Sequence, residues 1–243
     1  MDISIFDDPK ALGKAAGTAA AAIIQEAINH NGVANIIVAT GTSQFETLSQ
    51  LTMAKDIQWD KVVMFHLDEY IGLSDTHPAS FRKYLKERFL SKIPQVKAAN
   101  LINTEADARE ECDRLEKLIF ESPIDLALVG IGENGHLAFN DPPADFETEQ
   151  PYIVVELDYD CRKQQLGEGW FNSITEVPRQ AISMSVKQIM KSKNIICSVP
   201  GKRKATAVKN SVVLPVNPLY PASILQLHTH CTLYLDKGSA VLL

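Results

Sequence analysis

Short apolar runs, rich in β-branched residues, recur along this chain with longer helix-like stretches between them. This alternation restricts the available folds more than any other feature. The runs read NIIVAT (35–40), KVVMFHLDE (61–69) and IDLALVGIG (124–132), then YIVVELD, AISMSV, NIICSVPG and CTLYLDK. Strong helix formers fill the chain from Pro9 to about His30, with Asp7 or Asp8 placed to cap the start. FETLSQLTM, ASFRKYLKERFL and the amphipathic EADAREECDRLEKLIF supply further helices. Apolar runs without a polar face belong to strands covered on both sides. The expected fold is α/β: an open, doubly wound, mainly parallel sheet with helices on both faces. With no repeat, low-complexity tract or linker, residues 1–243 are read as one domain.

The 243 residues suffice for a sizeable core, and a net charge of −6 argues against an extended nucleic-acid surface, though not against a local basic pocket. No basic-then-apolar leader opens the chain, and AAGTAAAAII is too short and alanine-rich to span a bilayer. Cys112, Cys161, Cys197 and Cys231 form no CxxC, and the six histidines show no metal-ligand spacing. These features lead to the expectation of a cytoplasmic protein with core thiols and no membrane or nucleic-acid partner. A homo-oligomer is left open.

In open α/β sheets, ligands sit beyond the carboxyl ends of the strands. Four such ends carry chemistry. In Ala39-Thr40-Gly41-Thr42-Ser43, a glycine turn, hydroxyls and the free amides of a helix start suit a phosphate; a plain turn with a helix cap is the competing reading. Phe65-His66-Leu67-Asp68-Glu69-Tyr70 ends in two adjacent acids. On an extended chain these face opposite ways, so only one should reach a pocket and serve as a base; a solvated acidic turn competes. His66, inside the strand, reads as a hydrogen-bonded core histidine.

The run GIGENGHLAFNDPP (130–143) puts glycines that admit a ligand beside His136, which can relay protons near neutral pH. Asp141 can orient that imidazole, Asn134 adds an amide, and Pro142-Pro143 should stiffen the exit. Finally, Pro200-Gly201-Lys202-Arg203-Lys204 places three cations where a helix begins. Cations there oppose the helix dipole, a conflict that an anionic ligand resolves. No nucleotide or metal motif accompanies these ends. The residues point to cofactor-free proton transfer on a small phosphorylated metabolite, with sugar-phosphate isomerisation the simplest case.

LDEYIGL and GIGENGHLAFNDPP, together with ATGTS, PGKRKA and PASILQLH, resemble the glucosamine-6-phosphate deaminase (isomerase) family in order and spacing over nearly the whole chain. Its wider superfamily includes 6-phosphogluconolactonases; LDEY and FNDP favour the deaminase branch. The resemblance implies conversion of glucosamine 6-phosphate and water to fructose 6-phosphate and ammonia. It implies that Asp68 moves the proton between C2 and C1, and that His136 assists ring opening with Asn134 and Asp141 in its relay. Thr40, Gly41, Thr42, Ser43 and Lys204 would hold the phosphate, and SILQLH would help wall the pocket. The chain departs from the family pattern at Asp141, where Glu is common, and at Thr42 and Gln44. The family's phosphate-binding arginine has only Arg162 and Lys163 nearby, out of register. A galactosamine-6-phosphate deaminase and a lactonase are the alternatives, as is a regulator without catalysis. Some family members are activated by an anionic sugar phosphate held by basic residues; the stretch from Asp145 to Cys161, which follows the histidine loop, has neither lysine nor arginine before Arg162.

Overall fold

The computed structural model describes residues 1–243. Seven parallel strands form the central sheet: β1 (Asp2–Phe6), β2 (Ala34–Val38), β3 (Val62–His66), β5 (Ala98–Asn100), β6 (Leu126–Val129), β9 (Asn194–Val199) and β10 (Cys231–Asp236), in the order β1-β10-β9-β6-β2-β3-β5. Helices α1 (Pro9–Asn31), α2 (Phe45–Thr52), α3 (Phe81–Arg88), α4 (Ala108–Phe120), α6 (Val186–Met190) and α7 (Ala205–Val213) connect or cover them. Asp8 caps α1, its carboxylate accepting from Ala11 N at 2.8 Å.

Side-chain alternation along the strands divides the core in two. Ile36, Val38, Met64 and Leu128 pack with Leu12, Ile24 and Leu48 of α1 and α2 on one face. Ile37, Phe65, Val129 and Cys197 pack with Leu115 and Ile119 of α4 and Val208 of α7 on the other. Both faces of the sheet are thus covered, as expected from runs that lack a polar side.

From β2 the chain moves outward to β3 and β5, returns to β6, then moves the opposite way to β9 and β10. The reversal lies between β2 and β6, and a crevice opens at their carboxyl ends.

Three expectations need correction. KVVMFHLDE is not one strand. β3 stops at His66; Leu67 donates its N–H to Val38 O and accepts from Met184 N, and β4 (Asp68–Tyr70) then enters a second sheet. YIVVELD and AISMSV, as β7 (Tyr152–Glu156) and β8 (Gln180–Met184), join that second sheet, antiparallel in the order β4-β8-β7. Its aromatic packing, Tyr70 against Phe81, Phe139 and Phe171, makes a small third core. His66 is a core residue but not a hydrogen-bonded one: neither ring nitrogen has a partner, and burial, reinforced by the Arg82 charge, pulls its pKa down to about 3, so the ring is neutral.

Candidate active site

Two strand ends of the same design meet at the crevice. After β2 the backbone turns at Gly41 (φ 86°), makes one 3₁₀ turn over Thr42–Gln44 and runs into α2. After β9 it turns at Gly201 (φ 96°), makes one 3₁₀ turn over Lys202–Lys204 and runs into α7. Both glycines occupy a backbone region that L side chains avoid. Neither helix start has a side-chain cap, so its first amides are free to receive an anion.

Thr40, Gly41, Thr42, Ser43 and Lys204 all line one open cleft of about 790 Å³. The Thr40 hydroxyl is buried without a partner. Lys204 is 9% exposed and makes no ion pair. Burial lowers its pKa, while the charges of Glu168 and Glu133 oppose that shift. A buried ammonium without a counterion is costly, and a phosphate would compensate it. Arg203 also borders the cleft, paired with Glu133 at 3.4 Å.

Asp68 enters the cleft from the other side. It opens β4, opposite Ser183 of β8, so a paired backbone fixes where its side chain points. Burial, then the charge of Glu69, pushes its carboxyl up to about 8, and no hydrogen bond counters the shift. Glu69 faces the opposite way, as strand alternation requires. Its two oxygens accept from Tyr70 N, Phe81 N, Arg82 N and Ser80 Oγ, binding β4 to the start of α3.

The loop after β6 delivers His136. A Cβ on Gly132 would lie 2.4 Å from ring atoms Cε1 and Nε2, so only glycine lets the imidazole lie across the backbone. His136 Nδ1 is 3.1 Å from Asp141 Oδ1. A carboxylate only accepts, so Nδ1 carries the proton and Nε2 is the free acceptor. Asn134 joins the pair: its amide donates to Asp141 at 2.9 Å and its oxygen accepts from His136 N at 3.1 Å. Asp158 N donates to the other Asp141 oxygen at 3.0 Å. Burial works against the Asp141 charge, but the His136 contact, Asn134 and the Asp158 amide outweigh it and hold the pKa below the ordinary value. Hydrogen bonds from Asn134 and Asp158 therefore fix Asp141; Asp158 closes the run YIVVELD, to which the sequence assigned no part in the site.

The sequence placed all nine candidate residues in one site, and they do converge, in two shells. Asp68, His136 and the five phosphate candidates line the cleft, while Asn134 and Asp141 stand behind the imidazole. One expectation fails, and the out-of-register reading of Arg162 agrees with its position. SILQLH does not wall the cleft: Ser223–Leu227 belong to a 3₁₀ segment, Pro221–Leu227, and just before them Ala222 N donates to Gly135 O at 3.0 Å and buttresses the histidine loop. Arg162 turns away and gives its guanidinium to the carbonyls of Ile174 and Val177.

Helix α5 (Tyr159–Gly167) was missed, and with it Gln164, Gln165 and Glu168 of the cleft wall. An apolar stripe is absent from α5, so periodicity gives no signal there. Asp158, which caps it through Cys161 N, was the available clue. Among groups able to ligate a metal, His136, Asp141 and Cys161 each bring one atom within 4.8 Å of the others, but the first two are already a hydrogen-bonded pair.

A doubly wound sheet with an anion cradle at its switch point, a raised carboxyl and an oriented histidine defines an α/β enzyme built for proton transfer on a phosphorylated metabolite. The chain belongs to the family described as glucosamine-6-phosphate isomerases/6-phosphogluconolactonase, whose model matches residues 7–234. It is 38% identical over 206 residues to a glucosamine-6-phosphate deaminase of Oenococcus oeni, covering 85% of each chain. It is 33% identical to that of Lactobacillus delbrueckii subsp. bulgaricus over the full length of both. A solved structure of a monomeric glucosamine-6-phosphate deaminase superposes with a TM-score of 0.92 at 31% identity, covering all of both chains. A putative 6-phosphogluconolactonase of Neisseria gonorrhoeae shares the fold, with a TM-score of 0.78 at 18% identity over 97% of this chain and 99% of that one.

Proposed function

We propose that the whole chain is one catalytic domain that converts glucosamine 6-phosphate and water to fructose 6-phosphate and ammonia. The observation that carries this reading is the pairing of a buried, high-pKa Asp68 with a cradle for phosphate in the same cleft. The deaminases at 33–38% identity support it over the lactonase alternative. The phosphate lies on the amides and hydroxyls of Thr42 and Ser43, next to Lys204. His136, with Nε2 free, moves the proton between the ring oxygen and the C1 hydroxyl as the pyranose opens. Asp68 takes the proton from C2 of the open chain and returns it to C1, while a proton passes from the 2-amino group to O1; C1 becomes a hydroxymethyl carbon and C2 an imine. Water adds to that carbon and ammonia departs, which balances the overall equation. A carboxyl with a raised pKa is a stronger base than an ordinary one and suits a weakly acidic C–H.

The reaction as written needs no cofactor. No helix is long and apolar enough to cross a membrane, and all four cysteines are free and buried, which supports placement in a reducing cytoplasm. We propose a monomer, the state described for the deaminase of TM-score 0.92. The direct test offers the protein glucosamine 6-phosphate, galactosamine 6-phosphate and 6-phosphogluconolactone in parallel. Ammonia and fructose 6-phosphate from the first supports the reading; lactone hydrolysis without ammonia release refutes it.

A further inference from the structure

Two adjacent glutamines on α5 have their amides committed in different ways. Gln164 is fully engaged: its Oε1 accepts from Glu133 N at 2.8 Å and its Nε2 donates to Glu168 Oε1 at 3.3 Å, tying α5 to the histidine loop. Gln165 is only half engaged. Its Oε1 accepts from the Tyr70 hydroxyl at 2.6 Å, both residues being buried. Burial, aided by nearby acids, raises the Tyr70 phenol well above its ordinary pKa, so it stays a donor. A donating phenol meets the carbonyl end of an amide, so the Nε2 of Gln165 must turn the other way. That nitrogen makes no hydrogen bond within the protein and is not among the buried unpartnered atoms, while Gln165 lines the cleft. The Tyr70 ring cannot swing to release it, being wedged among Phe81, Phe139 and Phe171 at 4.9, 5.1 and 5.7 Å between centroids.

We propose that Gln165 Nε2 is a specificity-determining donor that reads a hydroxyl on the middle carbons of the substrate, C3 or C4, and that Tyr70 is its positioning residue. This rests on the reading of the substrate as a six-carbon amino-sugar 6-phosphate. With C2 at Asp68 and the phosphate at the two helix starts, C3 to C5 must cross the cleft between them. Tyr70 lies two residues beyond Asp68 on β4, so the amide it aims stands at the Asp68 end of that path. A hydroxyl oxygen has lone pairs for a donor, and inversion of its carbon swings it out of line. An amide locked in one orientation therefore distinguishes epimers that a freely rotating one would accept.

The test measures binding, so it does not depend on turnover. The probe is 2-amino-2-deoxyglucitol 6-phosphate, which is permanently open-chain and cannot react, together with its 3-deoxy and 4-deoxy counterparts and inorganic phosphate. Affinities are measured by calorimetry for the wild type, Gln165→Met, Gln165→Glu and Tyr70→Phe. Gln165→Met should weaken the parent polyol phosphate by about tenfold, the worth of one hydrogen bond, and leave inorganic phosphate unchanged. One deoxy counterpart should bind the wild type and Gln165→Met equally, identifying the hydroxyl that is read. Tyr70→Phe should weaken the parent polyol without weakening phosphate, whereas a merely structural tyrosine would lower Tm and leave affinity alone. Gln165→Glu keeps an acceptor for Tyr70, so it guards against misfolding of the methionine variant, and it too should bind the polyol more weakly. The proposal is overturned if Gln165→Met binds the parent polyol as the wild type does, or if both deoxy counterparts lose the same factor as the parent. Ammonia release by the wild type is scored separately, so failure of the substrate reading is not confused with failure of this one.

Discussion

Asp68 and Glu69 are chain neighbours on β4 that face opposite sides of the strand, and they do opposite jobs. Asp68 points into the cleft with no hydrogen bond to hold its charge; Glu69 is fully buried and accepts from Tyr70 N of its own strand and from three donors at the start of α3. The second acid adds to the raised pKa of the first.

That arrangement predicts a pH dependence. Asp68 is protonated below about pH 8 and is a base only above it, so kcat/KM should climb through a limb centred near 8. Stability should move the other way. Between about pH 4 and 8 the unfolded carboxyl is ionised while the folded one is not, so the native state binds more protons and loses stability as pH rises. Asp68→Asn should flatten the fall in Tm across this window. Thermal melts at intervals from pH 4 to 8 check it; parallel curves for the two proteins would refute the raised pKa.

Glu69→Ala should cost about 3 kcal/mol in stability, because it leaves the Ser80 hydroxyl and the backbone N–H groups of Phe81 and Arg82 without their acceptor. Urea unfolding measures it. A loss of a few tenths would show that the contacts with α3 matter little.

Lys204→Met separates binding from folding. A charge-assisted contact to phosphate is worth about 1.5–3 kcal/mol, so KM should rise by roughly 10–100-fold while kcat changes less. Without ligand the variant should melt at a higher temperature, since a buried, unpaired ammonium has been removed. An equal rise in KM for an unphosphorylated amino sugar would contradict the phosphate assignment.

Asp141→Asn tests the orientation of His136. An amide can donate to Nδ1 and reverse the tautomer, so turnover of the cyclic substrate should fall by roughly 10²–10⁴-fold, the usual range for general acid–base catalysis. An acyclic analogue, which bypasses ring opening, should be affected much less. Equal losses on both would give Asp141 a role beyond ring opening.

Kinetics should be hyperbolic without an activator. The stretch from Asp145 to Cys161 contains no lysine or arginine to hold an anionic effector, and in the proposed monomer a single site has no partner for cooperativity. A sigmoidal curve made hyperbolic by an N-acetylated sugar phosphate would contradict this.

Much of this site was legible in the sequence because it lies at strand ends, where apolar runs give way to Gly, His, Asp and Lys. Strand alternation put Asp68 and Glu69 on opposite faces, and the family resemblance chose Asp68 as the one that reaches the cleft. The break at Leu67 was not legible, since an apolar residue that bridges two sheets looks like one that continues a strand. The antiparallel pairing of β7 and β8 was not legible either, since apolar runs do not encode direction. β5, with the sequence AAN, is too short and bland to register. Helix α5 stayed hidden because its cleft-facing residues are glutamines with no apolar stripe beneath them, and so Gln165 was missed. His66 shows the opposite error: a buried imidazole is expected to have a partner, and here burial is met by neutrality instead.

The central claim is that Asp68 carries the C2 proton to C1. Glucosamine 6-phosphate deuterated at C2 tests it most directly, with the label followed into fructose 6-phosphate by NMR. The account predicts a primary isotope effect, part of the deuterium at C1 of the product, and loss of both turnover and C2 exchange in Asp68→Asn. Normal C2 exchange in Asp68→Asn, or wild-type product with no deuterium at C1 and no isotope effect, would contradict it.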